Sequence, residues 1–190
     1  MKKYLLVTTL FLTTFLNAQT EFNYTIEGLT PKALVVEVFD IKQADVYRNA
    51  LGWVKETYKN PDIVIKSTIE NNKIRFEGVT SNAYCIKVFG MDSCEDVKYL
   101  IDLEFKDGKY RIEPIKFEYY VKPNQYLPSN LSGFRNFNLS NGEDHYNRKK
   151  ELRSNSKVLI NDVLKVLNQM NLDLKSYIES DSSNKLNADW

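Results

Sequence analysis

The chain of 190 residues carries 26 basic and 25 acidic side chains, for a formal net charge of +1, with 43% hydrophobic and 13% aromatic residues. So even a balance excludes the strongly basic surface on which binding to nucleic acid or anionic membranes draws. A chain of this length forms one domain that buries roughly 70% of its unfolded surface, so folding requires neither a metal nor many disulfides.

Lys2 and Lys3 precede an apolar stretch over 4–16 that is broken only by threonines, and Leu16-Asn17-Ala18 offers a cleavage site. This is the pattern of a signal peptide spanning 1–18, too short and wrongly flanked for a membrane span. No cysteine lies near the cleavage point, so no lipid anchor is expected. The expected product is a periplasmic or secreted, not membrane-spanning, domain over 19–179. Removing Lys2 and Lys3 from the 26 basic residues leaves 24 against 25 acidic ones, so export does not change the charge argument.

Residues 34–39 (LVVEVF) are an apolar, β-branched run of strand length. Over 43–59 the period changes: Tyr47, Leu51, Val54 and Tyr58 recur at helical spacing, with Val46, Ala50 and Trp53 widening the stripe. Asn60-Pro61 ends that helix, because proline restricts the residue before it and cannot continue the ladder. Strands are expected over 62–69, over 73–79 with Ile74, Phe76 and Val79 inward, and over 83–89. Residues 90–96 are expected to form a loop carrying Cys94.

The strongest local signal is Asp107-Gly108, a two-residue hairpin loop of type I′ character. It predicts Lys106 opposite Lys109, Phe105 opposite Tyr110, Glu104 opposite Arg111 and Leu103 opposite Ile112. Apolar side chains then meet on one face and an acid–base pair on the other, whereas a slip of one residue destroys both matches. At Pro114 the alternation changes phase to Ile115, Phe117, Tyr119 and Val121, which predicts a bulge or an edge position. Periodicity vanishes over 122–150, which reads as a long loop. A helix follows over 152–179, with the stripe Ile160, Val163, Leu164, Leu167, Met170, Leu174, Tyr177 and Ile178. The tail 180–190 is expected to be disordered. The stripe covers fewer than three heptads, so packing on the sheet is expected rather than an oligomer seam, and no oligomer is required. The order β-α-β4(5)-α predicts an α+β two-layer domain, a curved antiparallel sheet packed on two helices.

Cys85 and Cys94 are the two cysteines. In an oxidising compartment a pair this close is expected to bridge; the alternative is two free thiols.

Two segments, ADVYRNALGWVKETYKNPDIVIKSTIENNKIRFEGV over 44–79 and LIDLEFKDGKYRIEPI over 100–115, together with the leader, resemble a secreted Bacteroidota family known as domain of unknown function 4468, described as TBP-like. The resemblance covers about 34–120. It implies a periplasmic or outward-facing protein of a bacterium with an outer membrane, and it supplies no catalytic residues. A TBP-like shape does not carry DNA binding with it, and the balanced charge and the leader both argue against nucleic acid as a partner.

His145 is the only histidine and sits in the polar stretch Asn141-Gly142-Glu143-Asp144-His145-Tyr146. With no second histidine and no zinc-type cysteine pair, a solvated loop residue is expected rather than a metal ligand or a general base. There is no G-x-S-x-G turn and no glycine-rich phosphate loop. Asp102, Glu104, Glu113 and Glu118 alternate along strands, where carboxylates form a wet face. An enzyme would need a concave carboxylate cluster with a raised pKa; no catalytic residue, cofactor or metal is assigned. The one enriched feature is aromatic: Phe117, Tyr119, Tyr120, Tyr126, Phe134, Phe137 and Tyr146 lie within 117–148 among many asparagines. Such a segment suits contact with an envelope protein or a glycan, with Tyr126, Phe134 and Phe137 as candidate contacts; the alternative is that the rings tether the loop to the sheet. The expected function is a non-catalytic binding domain of the cell envelope. A second expectation is a carrier of a small apolar ligand or glycan, with a cavity between the sheet and the 152–179 helix lined by Val97, Tyr99, Ile101 or Leu103.

Overall fold

A computed structural model describes residues 21–88, 90–122 and 132–186. The expected leader and Tyr126 lie outside these residues. The elements run β1 (Asn23–Thr25), β2 (Gly28–Thr30), β3 (Leu34–Glu37), α1 (Gln43–Thr57), α2 (Pro61–Val64), β4 (Ile65–Ile69), β5 (Lys73–Val88), β6 (Met91–Lys106), β7 (Lys109–Val121), β8 (Gly133–Phe137), a 3₁₀ turn (Glu143–His145) and α3 (Ser154–Leu186). The main sheet is antiparallel in the order β3-β7-β6-β5-β4, and β8 pairs the far half of β7, beyond β3. α1 and α3 pack against each other and cover one face.

The Asp107-Gly108 hairpin has the predicted register at all four pairs. Its aspartate has a second task. Lys42 precedes α1 and supplies no side-chain cap, and Asp107 Oδ1 instead accepts the Gln43 N–H at 2.9 Å. The hairpin turn thus satisfies one of the orphan donors of the helix. At Pro114 the expected bulge occurs: Ile101 faces Pro114, Leu100 faces Lys116, and Ile115 is extruded to 42% exposure.

Val46, Ala50, Trp53 and Val54 of α1 are buried at helical spacing, as are Ile160, Val163, Leu167, Met170, Leu174 and Ile178 of α3. They close over Ile74, Phe76, Val97, Ile101, Leu103, Phe105, Tyr110 and Ile112 of the sheet. Two buried polar groups fix the depth of α3. Tyr110 donates its hydroxyl proton to Asn171 Oδ1 at 2.8 Å, and Asn49 Nδ2 donates to the Ile178 carbonyl at 3.3 Å.

Several expectations need correction. The stretch 62–69 is not one strand: Pro61 opens a single helical turn, for which its fixed φ is suited, and β4 starts at Ile65. Residues 73–79 and 83–89 belong to one long β5, with the ladder broken between Thr80 and Tyr84. The inward position after Phe76 belongs to Gly78, and Val79 is 49% exposed. Residues 90–96 do not loop, because β6 begins at Met91 and pairs Cys94 directly with Cys85. Within 122–150 the chain forms β8 and the 3₁₀ turn. α3 continues seven residues past the expected end, to Leu186. The β1–β2 hairpin went unread, since three-residue strands carry too little periodicity to register.

Candidate functional site

Between Thr80 and Tyr84, residues 81–83 of β5 stand opposite Asp96 alone, with Asn82 at φ +54° and its N–H donating to Asp96 Oδ1 at 3.0 Å. A bulge of this kind bends a strand and re-aims its side chains. Here it opens a groove of about 420 Å³ between the sheet, the end of α1 and one flank of α3. That volume lies in the range of small-molecule sites. Trp53 and Tyr58 come from α1 and its C-terminal cap, Thr80, Ser81, Asn82, Ala83 and Cys85 from β5, and Tyr99 from β6. α3 contributes Asp162, Lys165, Val166, Gln169, Met170 and Asp173, successive at helical spacing on the flank beside its buried stripe. A second depression of about 470 Å³, lined by Glu56, Ser176, Tyr177 and Ser180, shares Trp53, Thr57 and Asp173 with the first and prolongs it along α1 and α3.

The floor is aromatic. Trp53 is 6% exposed and Tyr99 4%. Trp53 meets Tyr58 edge-on with ring centroids 6.2 Å apart. The Tyr58 and Tyr99 hydroxyls share a hydrogen bond of 2.9 Å, and Thr80 Oγ1 lies 3.3 Å from the Tyr99 hydroxyl. Gly78 makes this arrangement possible: a Cβ there would stand 2.5 Å from Tyr99 Cε2 and 2.8 Å from Tyr58 Cε1. Burial, then the neighbouring Tyr99, pushes the Tyr58 hydroxyl far above its ordinary pKa, so it stays a neutral donor and acceptor. The rim is polar, with Ser81, Asn82, Lys165, Gln169 and Asp173 exposed. Its carboxylates are engaged by neutral donors. Asp162 Oδ2 accepts the Cys85 N–H at 3.1 Å, Asp173 Oδ1 accepts Gln169 Nε2 at 2.8 Å, and Glu56 Oε1 accepts the Tyr177 hydroxyl at 2.7 Å. The arrangement can stack against and hydrogen-bond a ligand.

No model of a known protein family matches the chain, and no curated protein matches it in sequence. Two solved structures resemble it. One is a DUF4468 family protein from Bacteroides ovatus, at TM-score 0.59 and 16% identity over 77% of this chain and 84% of that one. The other is a TBP-like protein from Parabacteroides distasonis, at TM-score 0.55 and 14% identity over 77% of this chain and 90% of that one. The fold is TBP-like.

On the TBP-like sheet, the face turned away from the helices carries a ladder of cross-strand ion pairs. Arg75 binds Asp102 through Nε at 2.6 Å and Nη2 at 2.7 Å, and Lys73 Nζ reaches the same carboxylate at 2.7 Å. Arg111 joins Glu104 and Glu113, and Lys98 and Lys116 flank Glu118 at 2.9 and 2.8 Å. Burial alone raises the pKa of Asp102, and the hydrogen bonds from Arg75 and Lys73 outweigh it, holding the carboxyl below its ordinary range. The same balance, with Lys116 and Lys98, lowers Glu118. The strand carboxylates read as a wet face are therefore neutralised pairs, and Asp102 is buried to 3% exposure.

The aromatic candidates do not converge. Phe137 is 2% exposed and packs on Tyr24, Phe117 and His145, so it belongs to the core and offers no contact surface. Phe134 is 38% exposed, edge-on to Tyr120, with Lys98 Nζ 4.6 Å from its ring centroid. Tyr126 lies outside the described residues. Residues 138–146 are pinned to the β1–β2 hairpin. Leu29 N–H donates to the Leu139 carbonyl at 2.8 Å, Gly142 N–H to the Ile26 carbonyl at 3.0 Å, and the Tyr24 hydroxyl to the Asn138 carbonyl at 2.6 Å. His145 is half-buried rather than solvated, its ring stacked on Phe137 at 5.2 Å; burial lowers its pKa against the pull of Asp144.

Cys85 and Cys94 form the disulfide, across the two strands. Of the four residues named for a cavity, Tyr99 lines the groove, whereas Val97, Ile101 and Leu103 are core. Trp53 and the polar flank of α3 went unrecognised, because a tryptophan in a helical stripe reads as core and an exposed helix face reads as solvated.

Proposed function

We propose that this protein is an exported, non-catalytic binding domain of the bacterial cell envelope, and that its ligand site is the groove between the β5 bulge, α1 and α3. The groove itself carries the reading: an aromatic floor and a polar rim enclose a volume suited to a small molecule. The disulfide supports an oxidising compartment, as does the leader-like N-terminus. The carboxylates around the groove are held by neutral donors, and Asp102, Glu104, Glu113 and Glu118 on the sheet are paired with cations, which supports binding over acid–base chemistry.

The test is native mass spectrometry of the mature chain purified gently from its own envelope fraction. A bound small mass is expected on the wild type and is expected to be lost from Gln169→Arg, which fills the rim from an exposed position. A chain equally bare in both forms, or a mass retained by Gln169→Arg, overturns the assignment.

A further inference from the structure

The chemistry of the groove, on the reading that it is the ligand site, also defines what it takes. The acids of the sheet and those of the groove are treated differently by the fold. On the sheet, Asp102, Glu104, Glu113 and Glu118 each have a lysine or arginine within ion-pair distance. In the groove and the depression that prolongs it, Asp162, Asp173 and Glu56 have none among the described residues; each accepts from one neutral donor and keeps further acceptor capacity. Among the described residues that line the two depressions, one ammonium faces them, Lys165. The rest of the rim is hydroxyl and carboxamide, groups that both donate and accept.

Three ligand classes fit this badly. An anionic ligand meets three carboxylates against one ammonium, and like charges in a partly enclosed site repel. An acyl chain would desolvate Asn82, Gln169 and the acids without returning any hydrogen bond. A metal ion finds no group of three ligating side chains among the described residues. A polyhydroxylated ligand satisfies every part. Its hydroxyls donate to the spare carboxylate lone pairs and exchange hydrogen bonds with the carboxamides, while its C–H faces meet the partly exposed Tyr58 and the small exposed edge of Trp53. The second depression continues the first along α1 and α3, which gives the site room for more than one sugar ring.

We infer that the groove binds a neutral or amino-sugar oligosaccharide, with the carboxylates of Asp162 and Asp173 and the carboxamide of Gln169 as hydrogen-bonding partners of its hydroxyls. The inference rests on the groove being the ligand site. The mature, disulfide-bonded chain is applied to a glycan array carrying neutral, amino and uronic-acid oligosaccharides, and the strongest binder is titrated by calorimetry. The expected result is binding to neutral or amino glycans and at least about tenfold weaker binding to their uronic-acid counterparts. Asp173→Ala and Gln169→Ala, both at exposed helix positions, are each expected to weaken binding about tenfold, the effect of one hydrogen bond to a charged or polar group, while circular dichroism and thermal unfolding stay unchanged. Glycan binding that both variants leave intact places the sugar elsewhere and overturns the assignment, as does a preference for uronic-acid glycans. A silent array together with a bound mass that Gln169→Arg displaces overturns the saccharide but leaves the groove as the site. A silent array and a bare chain overturn both.

Discussion

Asp102→Asn keeps the shape of a side chain that is 3% exposed while removing the charge that organises Arg75 and Lys73. The cations are 39% and 26% exposed, so water relieves them in part once the carboxylate is gone. Breaking a fully buried pair costs about 3–5 kcal/mol, and a fully exposed one about 0.2–1 kcal/mol. A buried acceptor with half-wet donors falls between, at about 1–3 kcal/mol. The pH dependence follows from the direction of the shift. Asp102 is held below its ordinary range in the folded chain, so the ladder's contribution is fully present above the unfolded value of about 3.9. It is lost as pH falls through the lower folded value. Urea unfolding of wild type and variant at pH 7 and again near pH 2.5 reads this directly: the difference is expected to be largest at pH 7 and to shrink in acid. An undiminished difference at low pH would mean that the loss is one of packing, and equal stabilities at pH 7 would mean that the ladder contributes nothing.

Gly78→Ala drives a methyl group into the Tyr58–Tyr99 pair and is expected to cost about 1–3 kcal/mol in thermal unfolding, as overpacking does; no loss would show that the rings have room to move. Phe137→Ala is expected to lower stability by about 3–5 kcal/mol in denaturant titration, the behaviour of a core ring. Tyr110→Phe strips the hydroxyl that donates to Asn171 Oδ1 and is expected to cost about 1–3 kcal/mol by the same measurement. Replacing Cys85 and Cys94 together by serine is expected to remove about 2.5–3 kcal/mol, the chain-entropy value for a loop of this length, with faster amide exchange confined to 80–96.

What could be read from the residues was whatever a periodic pattern and a specific turn enforce locally. The register of β6 on β7 was legible because Asp107-Gly108 fixes the turn and a slip would misplace both Phe105 and Glu104. The bulge at Pro114 was legible because proline cannot donate. The stripe of α3 was legible at 3.6 spacing. The path of 132–152 was not, because its pairings are with residues far away in sequence: β8 with β7, Leu29 with Leu139, Tyr24 with Asn138. The bulge at 81–83 is not distinguishable in the sequence from an ordinary break between two strands, although Ser81-Asn82 marks a place where the chain turns. Of the groove, only its place between the sheet and the C-terminal helix and one lining residue, Tyr99, were legible, since it is assembled from four elements whose exposed sides carry no signature until the fold brings them together.

The bulge, the disulfide and the groove form one mechanical unit. A three-residue interruption in a long two-stranded arm would ordinarily act as a hinge, because the ladder that stiffens the arm is missing there. Just beyond it, Tyr84 pairs with Glu95, Cys85 is bridged to Cys94, and Glu95 is held by Lys122 Nζ at 3.0 Å. The Tyr84 ring braces edge-on against Tyr119 at 5.7 Å, and the Cys85 N–H ties the same point to Asp162 on α3. The bulged segment is therefore clamped on both sides, by regular pairing up to Thr80 and by the bridge after it. Side chains re-aimed by a bulge lose their advantage for binding if the backbone beneath them must be ordered each time a ligand arrives. By closing the arm immediately past the interruption, the disulfide holds Ser81, Asn82 and Ala83 opposite α3, so that on the proposed reading of the groove as a ligand site its wall is preorganised.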